Sequence, residues 1–119
     1  MKSLLLVAHG SRREASNEEV RQITKKIQQQ ASDKFLKIEC AFLELAEPSI
    51  PQGIDSCMIE KTNELIIFPY FLSAGRHVSE DIPEIIAEKQ RDYPDKKMRV
   101  VTHLGAIEGV ASLILGHLY

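Results

Sequence analysis

Short apolar segments alternate with segments of helical spacing along almost the whole chain. The apolar segments are "SLLLVAH", "KIECAFLEL", "ELIIFPYFL" and "MRVVTHL", and apolar runs of this length are typical of strands covered on both faces. Alternating strands and helices predict a parallel sheet with right-handed crossovers and helices on both sides. We therefore predict an α/β fold in which a four-stranded parallel sheet of order 2-1-3-4 is flanked by helices, as in flavodoxin-like proteins.

The first two stretches between the apolar runs have the apolar spacing of amphipathic helices. The first helix is predicted to run from Glu14 to Ala31, because Val20, Ile23 and Ile27 share one apolar stripe with its last residue. The second lies in "PSIPQGIDSCMIEK", where prolines suit a helix start. Its apolar face is expected to consist of Ile50, Ile54, Cys57 and Met58.

Two more helices are expected in the second half of the chain. The third is predicted to begin at Ser79 or Glu80 and to end at Arg91, with Ser79 as its N-cap. The last lies in "AIEGVASLILGHLY", which is apolar up to its final residue, so we expect a partner subunit to cover part of it. Its inner face is predicted to consist of Val110, Leu113, Ile114, His117 and Leu118.

Length, charge and cysteine content limit the class of protein. A chain of 119 residues argues for one domain, residues 1–119, without a linker or repeat. The formal net charge of -2 gives no sign of a nucleic-acid or membrane binder. No stretch approaches the roughly 20 apolar residues that would span a membrane. Cys40 and Cys57 lack metal-site spacing and are expected to be free thiols, which favours the cytoplasm.

Polar side chains follow the predicted strands at the edge where a parallel sheet binds ligands. His9 ends the first strand, Glu44 ends the second, His77 lies in the loop after the third, and His103 ends the fourth. In the order 2-1-3-4 the first strand lies between the second and the third, so Glu44 and His77 should flank His9. Two imidazoles and a carboxylate predict a site for Co, Ni, Fe or Zn in preference to Mg or Ca.

Each of these residues also has an ordinary structural interpretation. A single histidine at a strand end is more often a hydrogen-bonding group than a ligand. Glu44 could cap the following helix or pair with an arginine, and His117 lies on a helix away from the sheet edge. The functional interpretation gains weight because imidazoles occupy two neighbouring edge positions. Gly10 and Gly75 next to them would also allow backbone and ligand to approach closely.

Four motifs, taken together and in order, resemble one known family. They are "VAHGSRREASNEEV", "AFLELAEPSIP", "IIFPYFLSAGRHVSEDIPEI" and "THLG", and they extend from residue 4 to about 106. The chain is similar to the CbiX-type sirohydrochlorin chelatases in their short, single-domain form. The resemblance implies insertion of a divalent metal, Co²⁺ or alternatively Fe²⁺ or Ni²⁺, into the tetrapyrrole sirohydrochlorin. It implies a homodimer and no organic cofactor.

The resemblance also assigns roles to residues. The metal-contacting positions of the family carry over to His9, Glu44 and His77. The histidines would hold the metal or accept pyrrole protons, and the glutamate would be a third ligand or a proton relay. Whether each group is a ligand or a base stays open. The resemblance is to enzymes, but a non-catalytic metal or tetrapyrrole carrier would use the same residues, and only turnover separates the two.

Cationic and hydroxyl side chains beside the histidines suit a tetrapyrrole rich in carboxylates. The alternative for the arginines is that they form ion pairs with Glu14, Glu80 or Asp81 in solvent. Tyr70 and Phe71 could face the macrocycle or belong to the core. The candidate substrate-binding residues are Arg12, Arg13, Arg76, Ser11 and Ser73.

A histidine phosphatase or mutase is a further alternative, since its chemistry also uses a histidine at the end of a strand. Such enzymes usually carry an arginine directly before the His-Gly pair. Here Ala8 occupies that position, so the phosphate clamp is missing and this alternative is disfavoured.

Overall fold

A computed structural model describes residues 1–119. Four parallel strands alternate with four α-helices, as the sequence predicts. The elements in chain order are β1 (Lys2–Ala8), α1 (Glu14–Ala31), β2 (Ile38–Phe42), α2 (Ile50–Cys57), β3 (Glu64–Pro69), α3 (Ile82–Asp92), β4 (Lys97–Val100) and α4 (Val110–Leu118). A π-helical turn (His77–Asp81) precedes α3, and a 3₁₀ turn (Leu104–Ala106) precedes α4.

The sheet has the order β2-β1-β3-β4, which confirms the predicted topology. β1 pairs in parallel with β2 on one side, with Ala8 opposite Phe42, and with β3 on the other side, with Val7 opposite Pro69. Pro69 ends β3 as expected, because a proline has no N–H for a strand ladder. β1 is therefore central, and the loops that follow β2 and β3 lie on either side of its carboxyl end.

Several predicted boundaries are wrong. β1 ends at Ala8 and β2 at Phe42, so His9 and Glu44 lie just beyond their strands. β4 ends at Val100, so His103 lies beyond the strand, just before the 3₁₀ turn. The third helical segment begins at His77 rather than at Ser79 or Glu80. Ser79 is not an N-cap, since its hydroxyl donates to the carbonyl of Gly75 from inside the π-helical turn.

The two faces of the sheet are covered unequally. α2 and α3 pack on one face and enclose the main core of eleven buried residues, which includes Leu5, Val7, Leu65 and Ile67. On the other face α1 covers a smaller buried cluster of Ala8, Val20 and Phe42. A parallel sheet normally buries both faces, so one face of this sheet lacks part of its cover.

α1 and α4 depart from their predicted inner faces. In α1 the buried residues are Asn17, Val20 and Thr24, whereas Ile23 and Ile27 are only half-buried. In α4 no residue is buried, so the predicted inner face of Val110, Leu113, Ile114, His117 and Leu118 is wrong for the single chain. The apolar spacing of α4 was identified correctly, but no other part of the chain covers its apolar side chains.

None of the helices combines the length and apolarity needed to cross a lipid bilayer.

Candidate functional site

The loops after β1 and β2 hold His9 beside Glu44. Backbone pairing continues past the ends of both strands, since Leu43 N–H donates to Ala8 O at 2.9 Å and Glu44 N–H donates to His9 O at 3.0 Å. Gly10 has a φ of +94°, and a Cβ at this position would lie 1.7 Å from the carbonyl oxygen of Glu44. Only glycine therefore allows this loop contact, which confirms the expected close approach at Gly10.

His9 and Glu44 form a nitrogen–oxygen pair at the edge of the sheet. His9 Nδ1 lies 2.8 Å from the carbonyl oxygen of Gly10, which can only accept, so Nδ1 carries the hydrogen. In the neutral ring Nε2 is then a lone-pair donor, and it lies 3.2 Å from Glu44 Oε1. Two atoms that both carry lone pairs repel each other at this distance. A shared proton or a bound metal ion removes that repulsion.

His77 lies against His9 and is held by Asp81. The two imidazole ring centroids are 4.8 Å apart, with an angle of 60° between the rings. His77 Nδ1 lies 2.7 Å from Asp81 Oδ2, so the carboxylate accepts the Nδ1 hydrogen and leaves Nε2 as the free nitrogen. Carboxylates orient metal-binding histidines in this way in many sites. The structure therefore brings His9, Glu44 and His77 to one edge, as the strand order predicts.

Asp81 is a site residue that sequence reasoning missed. From the sequence alone, Asp81 is only a candidate ion-pair partner of the nearby arginines. The missed signal is the spacing of His77 and Asp81, four residues apart in a helical segment, which places the side chains on one face.

The three predicted ligands are not arranged as a closed coordination set. No group of three or more His, Cys, Asp or Glu side chains is close enough to hold a metal ion. The side chains of His9, Glu44 and His77 are 45%, 55% and 41% exposed, so all three are open to solvent and to a bound ligand. The site is accordingly an open edge with one preformed nitrogen–oxygen pair.

A buried asparagine braces the loop that carries His9. Asn17 is 2% exposed, and its side chain accepts from Ser11 N–H at 2.9 Å and donates to Ser11 O at 2.8 Å. The Ser11 hydroxyl oxygen accepts from Arg13 N–H at 3.0 Å. Ser11 thus has a structural role in the loop. Asn17 is a second residue that sequence reasoning missed, because a polar residue in α1 looked solvent-exposed.

The predicted substrate-binding side chains form no hydrogen bond or ion pair with His9, Glu44 or His77. Arg12 and Arg13 are exposed and form no ion pair, whereas Arg76 Nε pairs with Glu80 Oε2 at 3.2 Å, as the solvent-pairing alternative requires. Ser73 is exposed in the loop after β3. Glu44 does not cap α2, because Ser49 and Gln52 form the capping box there.

Aromatic and apolar side chains near the site divide into core and surface. Phe71 packs against the main core and Tyr70 against the smaller one, which supports their interpretation as core residues. Leu45 and Leu72 are 53% and 75% exposed, and they belong to the loops that carry Glu44 and lead to His77. Leu45 also has a φ of +66°, a strained conformation for a leucine. These two exposed leucines were not singled out from the sequence.

Fold and site together define an α/β protein with its functional groups beyond the carboxyl ends of the central strands, where such sheets bind ligands. The model of the CbiX family matches residues 3–118, and the chain belongs to this family. It is 37% identical over 86 residues to a sirohydrochlorin cobaltochelatase of Methanococcus aeolicus, covering 72% of this chain and 59% of the relative. It is 30% identical over 102 residues to a chloroplastic sirohydrochlorin ferrochelatase of Arabidopsis thaliana, covering 86% and 44%.

A solved structure supports the same fold. The sirohydrochlorin chelatase SirB from Bacillus subtilis subspecies spizizenii, in complex with cobalt, superposes with a TM-score of 0.85 at 27% identity. The superposition covers 98% of this chain and 49% of SirB. The chain thus spans about half the length of SirB and between 44% and 59% of the two relatives described above.

Proposed function

We propose that this protein inserts a divalent metal ion into sirohydrochlorin, with residues 1–119 acting as one CbiX-type domain. The observation that carries the proposal is the His9–Glu44 pair at the carboxyl edge of the sheet, with Nε2 and Oε1 3.2 Å apart. The names of the relatives, sirohydrochlorin cobaltochelatase and ferrochelatase, support this substrate. Metal and tetrapyrrole are both substrates, and no organic cofactor is needed.

The separation of His9 and Glu44 suits two ligands of one metal ion. Metal–nitrogen and metal–oxygen bonds near 2.0–2.2 Å place adjacent donor atoms about 2.9 to 3.4 Å apart, depending on the bond angle. In the proposal His77 Nε2 completes the protein's ligand set after a rotation of its exposed ring. Three protein ligands leave positions open, and the ring nitrogens of the macrocycle enter there.

Donor chemistry supports late transition metals. Imidazole and carboxylate donors suit Co²⁺, Fe²⁺ and Ni²⁺, and they release a metal more readily than a set of thiolates would. We propose Co²⁺ as the main metal substrate, in line with the cobaltochelatase relatives, with Fe²⁺ and Ni²⁺ as alternatives.

Insertion exchanges one divalent ion for two protons, and the site has two imidazoles for them. As the metal passes to the pyrrole nitrogens, the Nε2 atoms of His9 and His77 lose their metal bonds and each accepts one pyrrole proton. Glu44 and Asp81 then face the two imidazolium rings and stabilise their charge. The charge on the protein side is thereby the same before and after the transfer.

The surroundings support a flat, acidic substrate. Arg12 and Arg13 are unpaired and would bind peripheral carboxylates, and Arg76 would do so after exchanging Glu80 for the substrate. Ser11 and Ser73 add hydroxyl donors at the same edge. The exposed leucines, Leu45 and Leu72, provide apolar surface for the macrocycle.

A second copy of the chain is part of the proposal. The site is open to solvent, and SirB is about twice as long as this chain, so a second copy would supply the other wall of a cleft.

The two free cysteines, Cys40 and Cys57, support a location in the reducing cytoplasm.

The test is anaerobic absorbance spectroscopy of sirohydrochlorin with Co²⁺, Fe²⁺ or Ni²⁺. We expect conversion to the metallated ring over many turnovers, faster than without protein. His9→Ala should reduce the rate to the protein-free value, and Glu44→Gln should reduce it strongly because the metal loses its anionic ligand. The matched control Glu47→Gln, an exposed carboxylate nearby, should keep the wild-type rate.

Two outcomes would contradict the proposal. Wild-type rates in His9→Ala would remove the site from the mechanism. Tight stoichiometric binding of metal and macrocycle, with insertion no faster than in the protein-free control, would identify a carrier instead of an enzyme.

A further inference from the structure

The carboxylate of the proposed metal site belongs to a short closed loop. We call residues 43–48, which connect β2 to α2, the Glu44 loop. Its two ends meet at the sheet, because Phe42 N–H donates to Pro48 O at 2.8 Å. Near its start Glu44 N–H donates to His9 O, which ties that part to the loop after β1. The position of the Glu44 carboxylate therefore depends also on how the remainder of the loop is held.

Arg21 of α1 holds the remainder of the Glu44 loop. Residues 45–47 form no backbone–backbone hydrogen bond, but the Glu47 carbonyl accepts from Arg21 Nη2 at 3.3 Å. The same guanidinium lies over the ring of Phe42, with Cζ 5.4 Å from the ring centroid. Phe42 is fully buried, so the arginine rests on a rigid surface at the base of the loop.

Arg21 is also linked to the loop that carries His9. Its Nη1 is paired with Glu14 Oε1, and Glu14 Oε2 accepts from Asn17 Nδ2 at 3.4 Å. Asn17 is the buried residue that braces the loop after β1. The hydrogen bond from Arg21, followed by that from Asn17, lowers the pKa of the Glu14 carboxyl. The carboxylate between these two donors therefore stays ionised, and one side chain of α1 connects both loops of the site.

From these contacts we propose that Arg21 is a positioning residue for the His9–Glu44 pair. It forms no hydrogen bond with either side chain, but it holds the backbone of both loops against α1. A guanidinium suits this role, because it offers several donors in fixed directions and stacks its flat face on an aromatic ring. The proposal rests on the metal site of the proposed function and names the side chain that holds this site in shape before a metal ion binds.

Removal of Arg21 should weaken metal binding without removing a ligand. Two loops that are held in place before the metal arrives lose less conformational freedom when it binds. The fold itself depends little on Arg21, since its ion pairs are formed with the exposed carboxylates of Glu14 and Glu18. Metal affinity and thermal stability should therefore respond differently to the same substitution.

The first test is the affinity for Co²⁺ alone, measured by isothermal titration calorimetry without sirohydrochlorin. We expect Arg21→Gln to weaken Co²⁺ binding about 10-fold, at the lower end of what substitution of a ligand-orienting residue costs. Arg21→Lys keeps the charge but cannot contact the Glu47 carbonyl and Glu14 together, so we expect a similar loss. The matched control Lys25→Gln removes an exposed cation one turn further along α1 and should bind Co²⁺ like the wild type.

The second test separates positioning of Glu44 from a general loss of structure. Because Arg21 acts on this ligand through its loop, Arg21→Gln should lose most of its effect on Co²⁺ affinity in a Glu44→Gln background. The Tm of Arg21→Gln, measured by circular dichroism without metal, should stay close to that of the wild type. An equal fold-loss of Co²⁺ affinity in both backgrounds would overturn the proposal.

The remaining outcomes distinguish this inference from the proposed function. A wild type that binds no Co²⁺, or a His9→Ala variant that binds it as tightly as the wild type, would contradict the metal site itself. Wild-type Co²⁺ affinity in Arg21→Gln or in Arg21→Lys would overturn the role of Arg21 and leave the metal site intact.

Discussion

Asp81 determines which nitrogen of His77 faces the open edge of the site. Its carboxylate accepts the Nδ1 hydrogen at 2.7 Å, so Nε2 is presented as a lone pair beside the ring of His9. Gly10 O does the same for His9 through Nδ1 at 2.8 Å. Both imidazoles therefore present the same nitrogen, one held by a carboxylate and one by a backbone carbonyl.

Replacing Asp81 should affect turnover more than substrate binding. Asp81→Asn keeps an acceptor for Nδ1 but removes the charge that stabilises a protonated His77. We expect kcat for metal insertion to fall about 10- to 100-fold, with little change in the KM for sirohydrochlorin. Steady-state kinetics measures both, and Asp81→Glu should restore part of kcat. Equal kcat values in the wild type and Asp81→Asn would show that the contact only shapes the turn.

At this scale the sequence predicts some site residues and conceals others. His9, Glu44 and His77 follow from the strand order, because neighbouring strands must end at the same edge. Asp81 and Asn17 were missed, since their roles depend on a turn that begins at His77 and on the path of one loop. Because the helix was predicted to begin at Ser79 or Glu80, His77 was left outside it, and the shared face of His77 and Asp81 was concealed.

α2 and α3 are connected by a polar contact at the surface of the main core. Lys89 Nζ lies 2.7 Å from Asp55 Oδ1, and the Tyr93 hydroxyl donates to the same oxygen at 2.6 Å. The hydrogen bond from Lys89, followed by that from Tyr93, lowers the pKa of the Asp55 carboxyl. The contact therefore favours the ionised carboxylate and ties the two helices together.

This contact should make stability depend on pH in a defined direction. Because the pKa of Asp55 is lower in the folded chain than in the unfolded chain, its stabilisation is complete above pH 4 or so and is lost as pH falls through the folded-state value. Asp55→Asn should lower the free energy of unfolding at pH 7 by less than about 1 kcal/mol, since the pair is partly exposed. Urea unfolding at pH 7 and pH 3 measures this.

The control for that comparison is Asp33→Asn, since Asp33 lies in the turn after α1 and forms no ion pair. Its unfolding should match the wild type at both pH values. If Asp55→Asn were as destabilised at pH 3 as at pH 7, the effect would come from packing and not from ionisation.

Strands and helices were predicted correctly where their apolar residues pack against other elements of the same chain. β1 and β3 are apolar runs buried against α2 and α3, and their existence and order are confirmed. β4 is shorter than its apolar run suggests, because an edge strand pairs on one side only. α4 was predicted as a helix with an inner face and with a further part covered by a partner subunit, but the pattern did not show that none of its residues is buried within the chain.

For the molecule as a whole, the second copy that is part of the proposed function predicts that stability depends on protein concentration. A state that gains its cover from a second copy is favoured by mass action, so its unfolding midpoint rises with concentration. We expect the Tm of the wild type to rise on concentration, and that of Ile114→Lys/Leu118→Lys to stay constant. Scanning calorimetry over a wide concentration range provides the comparison. A constant Tm in the wild type would mean that the single chain is the folding unit.

Gly10 and Gly75 stand beside the two histidines, yet they differ in how much variation they allow. At position 75 an added Cβ would meet nothing within 4 Å, whereas at position 10 it would collide with the backbone of Glu44. A Cβ is therefore sterically admissible at position 75 and is excluded at position 10. Mutation at residue 75 can therefore alter the surroundings of the site, whereas any descendant of this chain that keeps the loop contact must keep glycine at residue 10.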